Sequence, residues 1–302
     1  MKFAAIDIGS NAVRLLIEEV FEINKTFHIQ KVSFTRVPIR LGEDVFVDGP
    51  ISKKKTDQLV KTMKAFWYLM DVHDIEHFRA CATSAMREAD NGKEVVELIR
   101  KEANVPIEII SGKKEADLLF GNFTHHQHMD LNKSYLYIDV GGGSTELTLI
   151  KNGERVQSRS FRIGTVRMLK GKTKNVVWKE AKEWIEKVTK DEKKLMGIGT
   201  GGNINKIYKL SRCKLWEPIS FAEVEEIYQT LKAYTYEERI SEMGLKPDRA
   251  DVIIPASEIY LRMMGMAGVR KMYVPRVGVS DGIILALYRD WKKQQKLNKS
   301  RA

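Results

Sequence analysis

One glycine-turn signature occurs twice in this chain, and that repetition constrains the fold more than any other feature. Ala5-Ile6-Asp7-Ile8-Gly9-Ser10-Asn11, followed by the strand-like run Val13 to Ile17, is echoed by Tyr137-Ile138-Asp139-Val140-Gly141-Gly142-Gly143-Ser144, followed by Glu146 to Ile150. Asp139 falls 132 positions after Asp7, close to half of the 302 residues. In each copy an apolar strand carries a single carboxylate to its end and turns through Gly and small polar residues into a second strand. Such a turn presents consecutive backbone N–H groups, which suit a phosphate. One phosphate turn per half predicts two similar lobes closing on a phosphorylated ligand.

The repeat extends past the turns. In the first half, strands are predicted near 2–8, 12–20 and 26–40, then a helix from Ser52 to about Val72 with Leu59, Met63, Phe66, Trp67 and Met70 on an apolar face. A strand at Phe78 to Ala82 runs into Thr83-Ser84-Ala85-Met86-Arg87 and a helix; Val105 to Ile110 is a further strand, and Gly112 starts another helix. In the second half, strands at 135–140, 145–151 and 154–163 precede a helix near 176–190. Leu195 to Ile198 then runs into Gly199-Thr200-Gly201-Gly202-Asn203 and a helix. Both halves read β-β-β-α-β-α. Further helices are expected near 220–232, 247–265 and 280–296, with a short strand at Lys271 to Val274. The reading places domain I at 1–123, domain II at 124–283, and a C-terminal helix, 284–302, back on domain I.

Composition narrows the setting. At 43% hydrophobic residues each half has material for a core, and 51 Lys and Arg against 40 Asp and Glu leave a net charge of +11 that attracts anions. The N-terminal run is broken by Asp7, and no 18-residue apolar stretch exists to span a bilayer, so a cytoplasmic location without membrane association is expected. Cys81 and Cys213 have no partner spacing for zinc or a redox pair.

Seven segments, in order, resemble one branch of the actin-like ATPase superfamily, the exopolyphosphatase and guanosine pentaphosphate phosphohydrolase (Ppx/GppA) family. They are Asp7 to Asn11, Ala82 to Arg87, Glu108 to Gly112 with Glu115-Ala116, Asp139 to Leu147, Gly199 to Gly202, Arg249 to Ala256, and Val279 to Gly282. The resemblance implies an α/β fold of two actin-like, ribonuclease H-like lobes with an interlobe cleft, in a short form without the family's additional C-terminal helical domain. It further implies an acid anhydride hydrolase acting on inorganic polyphosphate or guanosine pentaphosphate.

Phosphoanhydride hydrolysis requires charge neutralisation on the transferring group, an oriented water and stabilisation of the leaving phosphate. Ser10 and Asn11 in the first turn, Gly141, Gly142, Gly143 and Ser144 in the second, and Thr83 and Gly201 after the fourth strands are candidate phosphate binders. Asp7, Asp139 and Glu146 are candidate Mg²⁺ ligands, directly or through water. Arg87 suits a bidentate phosphate contact, because guanidinium matches phosphate geometry. Glu115 matches the family carboxylate that activates water as general base, and with Arg87 and Glu146 makes up the expected catalytic set.

Three features depart from the family pattern. Ala12 replaces a serine, Lys114 stands where the family has an acid before Glu115, and the apolar run Ile283 to Leu287 replaces an Arg-Glu-Gly pattern. They keep open a non-catalytic polyphosphate or alarmone sensor; an actin-fold small-molecule kinase, using the same clamp for ATP, is the other alternative. Between Lys151 and Asn175, Lys151, Arg155, Arg159, Arg162, Arg167, Lys170, Lys172 and Lys174 face only Glu154, and strand parity puts Arg155 and Arg159 on one face as part of a polyanion track. His125, His126 and His128 have poor spacing for a shared zinc, and Met263, Met264 and Met266 read as packing. No helix-turn-helix, zinc or aromatic stacking motif supports nucleic-acid binding. The oligomer stays open, with a homodimer as the candidate.

Overall fold

A computed structural model describes residues 1–23, 26–123, 130, 132–192, 194–214 and 216–299. The chain divides into two units, Met1–His125 with Gly278–Ala302, and His126–Val277. His125, His126 and His128 lie outside the described residues.

The first unit opens with β1 (Lys2–Ile8), β2 (Val13–Ile23) and β3 (Thr26–Val37), followed by a short helix α1 (Leu41–Val45) and α2 (Lys53–Val72). Then come β4 (His77–Ala82), α3 (Ser84–Glu88), α4 (Gly92–Ala103), β5 (Ile107–Ile109) and α5 (Gly112–Phe123). The sheet order is β3-β2-β1-β4-β5. β1 pairs antiparallel with β2 and parallel with β4, so Asp7 lies in register with both Arg14 and Cys81. β1 reads as an almost continuous apolar run because it is central, with Phe3, Ala4, Ala5, Ile6 and Ile8 all inaccessible. Ser52 caps α2 by accepting from the Lys55 N–H, and Leu59, Met63, Phe66 and Met70 form its buried stripe. Trp67 and Phe78 meet edge to face, with ring centroids 6.1 Å apart.

The second unit repeats the scheme with β6 (Tyr135–Val140), β7 (Thr145–Lys151), β8 (Glu154–Phe161), α6 (Thr165–Leu169), α7 (Asn175–Thr189), β9 (Met196–Thr200) and α8 (Gly202–Leu210). It continues with β10 (Ile219–Ser220), α9 (Phe221–Ala233), α10 (Tyr236–Ser241), α11 (Pro247–Ala250), α12 (Ile253–Met266) and β11 (Lys271–Tyr273). Sheet order is β10-β11-β9-β6-β7-β8. Leu136, Ile138, Val140, Leu147 and Leu149 turn into a core that includes Ala181 and Ile185 of α7 and Met263 and Met264 of α12. Alternation then sends Tyr135, Tyr137 and Asp139 to the opposite face of β6.

The last helix, α13 (Val279–Lys299), belongs to the first unit and packs against β1, β2, β4 and α5. Phe3 meets Tyr288 and Trp291 edge to face, at 6.1 and 6.3 Å between centroids.

Three local expectations change. The strand expected to reach residue 40 stops at Val37, and α1 follows; α6 likewise interrupts the stretch before α7. Five residues are too few for helical periodicity to show in sequence. The single helix expected over 247–265 breaks at Asp251 and Val252 into α11 and α12. Finally, Arg155 and Arg159 do not share a face. The pairing of β7 with β8 shifts between Leu149 and Ile150, so Arg159 lies opposite Leu147 while Arg155 lies opposite Ile150. A bulge reverses parity, which strand alternation alone cannot anticipate.

Candidate functional site

In the second unit, four side chains form one row across four strands. Thr200 on β9 is in register with Asp139 on β6, Asp139 with Glu146 on β7, and Glu146 with Ser160 on β8. In-register neighbours project from the same face of a sheet. Thr200 Oγ1 donates to Asp139 Oδ1 at 2.5 Å. Ser144 Oγ and Ser160 Oγ both donate to Glu146 Oε1, at 2.6 and 2.8 Å. Both carboxylates are buried, at 7% and 2% exposure. The Tyr260 hydroxyl, fully buried, donates to the Thr200 carbonyl. Burial, with the charge on Asp139, holds the Tyr260 phenol well above its ordinary pKa, so this donor keeps its proton.

The corresponding row in the first unit reads Cys81, Asp7, Arg14, Arg36. Here Arg14 Nη1 donates to Asp7 Oδ2 in a close ion pair, with Asp7 almost fully buried. The same strand-end aspartate is thus set beside a cation in one unit and beside a second carboxylate in the other. Cys81 is an inert neighbour, its thiol pushed up to about 12 chiefly by burial.

The two turns are held from behind by the same device. In the second unit, the N–H groups of Thr165, Val166 and Arg167 donate to the carbonyls of Gly141 (3.0 Å) and Gly142 (2.9 and 3.1 Å). Arg167 Nε donates to the Gly143 carbonyl at 2.9 Å. In a trans peptide the C=O and the following N–H point in opposite directions. With three successive carbonyls drawn toward α6, the N–H groups of Gly142, Gly143 and Ser144 face the other way. In the first unit, the N–H of Gly42 donates to Ser10 (2.8 Å) and that of Arg40 to Asn11 (3.0 Å), which turns the N–H groups of Asn11 and Ala12 outward.

Thr83 and Ser84 follow β4 and are tied to the first turn. The Thr83 N–H donates to the Ile8 carbonyl at 3.1 Å, and Ser84 Oγ shares a 2.9 Å hydrogen bond with Ser10 Oγ. Arg87 Nη1 donates to the Ile110 carbonyl at 2.6 Å and lies 3.8 Å from Glu115 Oε2. Arg87 and Glu115 are therefore neighbours within the first unit, although α4 and β5 separate them in sequence. Glu115 is buried in the first turn of α5. Lys114 is turned away from it: its ammonium pairs with Glu108 on the exposed surface. Gly201 adopts φ +109°, a conformation open to glycine, where a Cβ would approach the Val140 carbonyl to 3.2 Å.

Arg14, Ser160, Thr200 and Arg167 were missed as site residues. Arg14 and Ser160 could have been found by pairing each turn's strands outward from the glycines; Arg167 was hidden in the basic tract. Among the basic residues of that tract, Arg159 pairs with Glu180 at 3.0 Å and Lys151 with Glu192 at 2.5 Å. Among the described residues no cluster of three or more metal-ligating His, Cys, Asp or Glu side chains occurs, and no helix is long and apolar enough to cross a membrane.

Two ribonuclease H-like units, each opening on a hairpin whose turn offers backbone N–H groups beside a strand-end aspartate, define the actin-like class. Within that class, residues 19–290 match the Ppx/GppA phosphatase family, and the chain belongs to it. It is 29% identical over 289 residues to a bifunctional 3-dehydroquinate synthase/phosphatase of Fusobacterium nucleatum, a match covering 88% of this chain and 43% of that protein. An exopolyphosphatase 1 of Mycobacterium bovis is 30% identical over 56% of this chain and 48% of its own length. The chain thus spans less than half the length of these two relatives. A putative exopolyphosphatase of Haemophilus influenzae matches more fully, at 25% identity over 96% of this chain and 93% of the relative. The fold is shared with an exopolyphosphatase from Cytophaga hutchinsonii, at TM-score 0.80, 22% identity and coverage of 96% and 98%. An Aquifex aeolicus Ppx/GppA family member follows at TM-score 0.75, 23% identity and the same coverage.

Proposed function

We propose that this chain is a Mg²⁺-dependent phosphoanhydride hydrolase that releases terminal phosphate from inorganic polyphosphate, with guanosine pentaphosphate as the second candidate substrate. The observation that carries this reading is the pairing of Asp139 with Glu146 beside a turn whose N–H groups face outward. Oxygen donors alone, two carboxylates flanked by the hydroxyls of Thr200, Ser144 and Ser160, fit a hard divalent cation. When bound, Mg²⁺ would neutralise charge on phosphate oxygens. The relatives named exopolyphosphatase supply the substrate class.

In this reading the chain's own groups divide the work. In each unit the outward N–H groups of the turn, those of Gly142, Gly143 and Ser144 in the second and of Asn11 and Ala12 in the first, are donors for phosphate oxygens. Glu115 accepts a proton from the attacking water. The Arg87 guanidinium, 3.8 Å from Glu115, stabilises charge on the phosphoryl group. Lys114, paired with Glu108, leaves Glu115 to this role.

The test is phosphate release from polyphosphate of several lengths and from guanosine pentaphosphate, with and without Mg²⁺, for the wild-type chain and Glu115→Gln. Release without an acceptor, lost in the variant by roughly 10²-fold or more while tripolyphosphate affinity is kept, supports the hydrolase. Tight binding without turnover identifies a sensor. Release only with a sugar or acid acceptor identifies a kinase.

A further inference from the structure

We propose that Arg167 is a positioning residue that holds the Gly143–Ser144 peptide with its N–H turned outward to meet a phosphate oxygen. The inference rests on the reading that this turn binds phosphate. Arg167 is only 5% exposed, and its Nε donates to the Gly143 carbonyl at 2.9 Å. Because the carbonyl of Gly143 and the N–H of Ser144 belong to one trans peptide, fixing the first direction fixes the second.

The repeat shows what is particular to this position. The bond from the Gly42 N–H to Ser10 corresponds to that from the Val166 N–H to Gly142, since Ser10 and Gly142 both lie three residues past their aspartates. Asn11 then corresponds to Gly143, and Glu43 to Arg167. The Asn11 carbonyl is held by a main-chain donor, the N–H of Arg40, at 3.0 Å. The Gly143 carbonyl is held by a side chain. Glu43 instead pairs with Arg40 at 2.8 Å and Lys55 at 3.2 Å.

A tight contact behind the turn complements this bond. A Cβ at Gly164 would lie 2.4 Å from the Gly142 carbonyl oxygen and 2.4 Å from the Gly143 carbonyl carbon. The main chain entering α6 therefore presses directly on the turn, and Arg167 reaches the one carbonyl of the three that no helix N–H serves. Turned the other way, this peptide would present its carbonyl oxygen, an electronegative atom, to the phosphate.

The experiment compares wild type, Arg167→Met, Arg167→Lys and Arg167→Ala by calorimetric titration with tripolyphosphate, by phosphate release, and by the ¹⁵N-amide shift of Ser144 on adding tripolyphosphate. Arg167→Met is expected to weaken tripolyphosphate binding about tenfold or more and to abolish the Ser144 response. Arg167→Lys should retain part of the affinity. Ethylguanidinium, and not NaCl at equal ionic strength, should restore binding to Arg167→Ala; this rescue decides the matter if Arg167→Met fails to fold. Affinity within twofold of wild type in Arg167→Met, or an unchanged Ser144 response, overturns the proposal, as does failure of the rescue. A wild-type chain that binds tripolyphosphate without hydrolysing it overturns the hydrolase reading while the binding comparison still tests Arg167. A wild-type chain that binds none overturns both.

Discussion

Asp139 and Glu146 stand side by side as cross-strand partners on β6 and β7, two carboxylates on one face of the sheet. At the equivalent place in the first unit, Asp7 stands beside Arg14. One repeat sets a cation beside its strand-end aspartate, and the other sets a second carboxylate there, with hydroxyls donating to both. Carboxylate and hydroxyl oxygens grouped in this way suit a hard divalent cation.

Glu146→Gln removes one of the two charges and leaves a group able to accept the Ser144 and Ser160 hydrogen bonds. Affinity for Mn²⁺, followed by electron paramagnetic resonance, is expected to fall at least about tenfold, and phosphate release with it. Unchanged Mn²⁺ affinity would remove Glu146 from the cation site.

Arg14→Met should destabilise the chain, because it strands the Asp7 carboxylate, 2% exposed, without its cation. Breaking a buried ion pair costs about 3 kcal/mol at the low end, the relevant end because the Arg14 side chain is 30% exposed. Urea denaturation at pH 7 measures this.

Glu18 supplies a pH dependence in the first unit. Burial, with the Asp281 carboxylate second, pushes Glu18 up to about 7 from an ordinary 4.5, and Lys31 opposes the shift. Between those two values the folded chain holds a proton that the unfolded chain has released, so stability falls as pH rises from 4.5 to 7 and then levels off. Glu18→Gln is expected to raise the melting temperature at pH 8, where as much as about 3 kcal/mol is regained, and to leave it almost unchanged at pH 4. An equal gain at both pH values would contradict the assignment.

Lys114→Ala tests whether the cation before Glu115 matters. Its ammonium is engaged with Glu108, and both side chains are nearly half exposed, at 44% and 45%. Exposed pairs of this kind contribute about 0–1 kcal/mol. Phosphate release should stay within twofold of wild type and stability within about 0.5 kcal/mol. A large rise in KM for polyphosphate would show instead that Lys114 contacts substrate.

Local sequence patterns carry the duplicated hairpins and the β-β-β-α-β-α order of each half. These follow from local patterns: apolar runs ending in a carboxylate, glycines at a reversal, and a 3.6-residue period in the longer helices. The sequence also put Arg87 and Glu115 forward as a pair of roles. Tertiary structure alone decided which charges meet. Strand register set Glu146, and not a cation, beside Asp139, and it set Arg14 beside Asp7. A bulge separated Arg155 from Arg159, and α1 and α6, each too short to leave a periodic trace, proved to be the braces that aim the turns. Residues such as Thr200, Ser160 and Arg167 acquire their meaning from neighbours far away in the chain, and such contacts leave no local pattern to read.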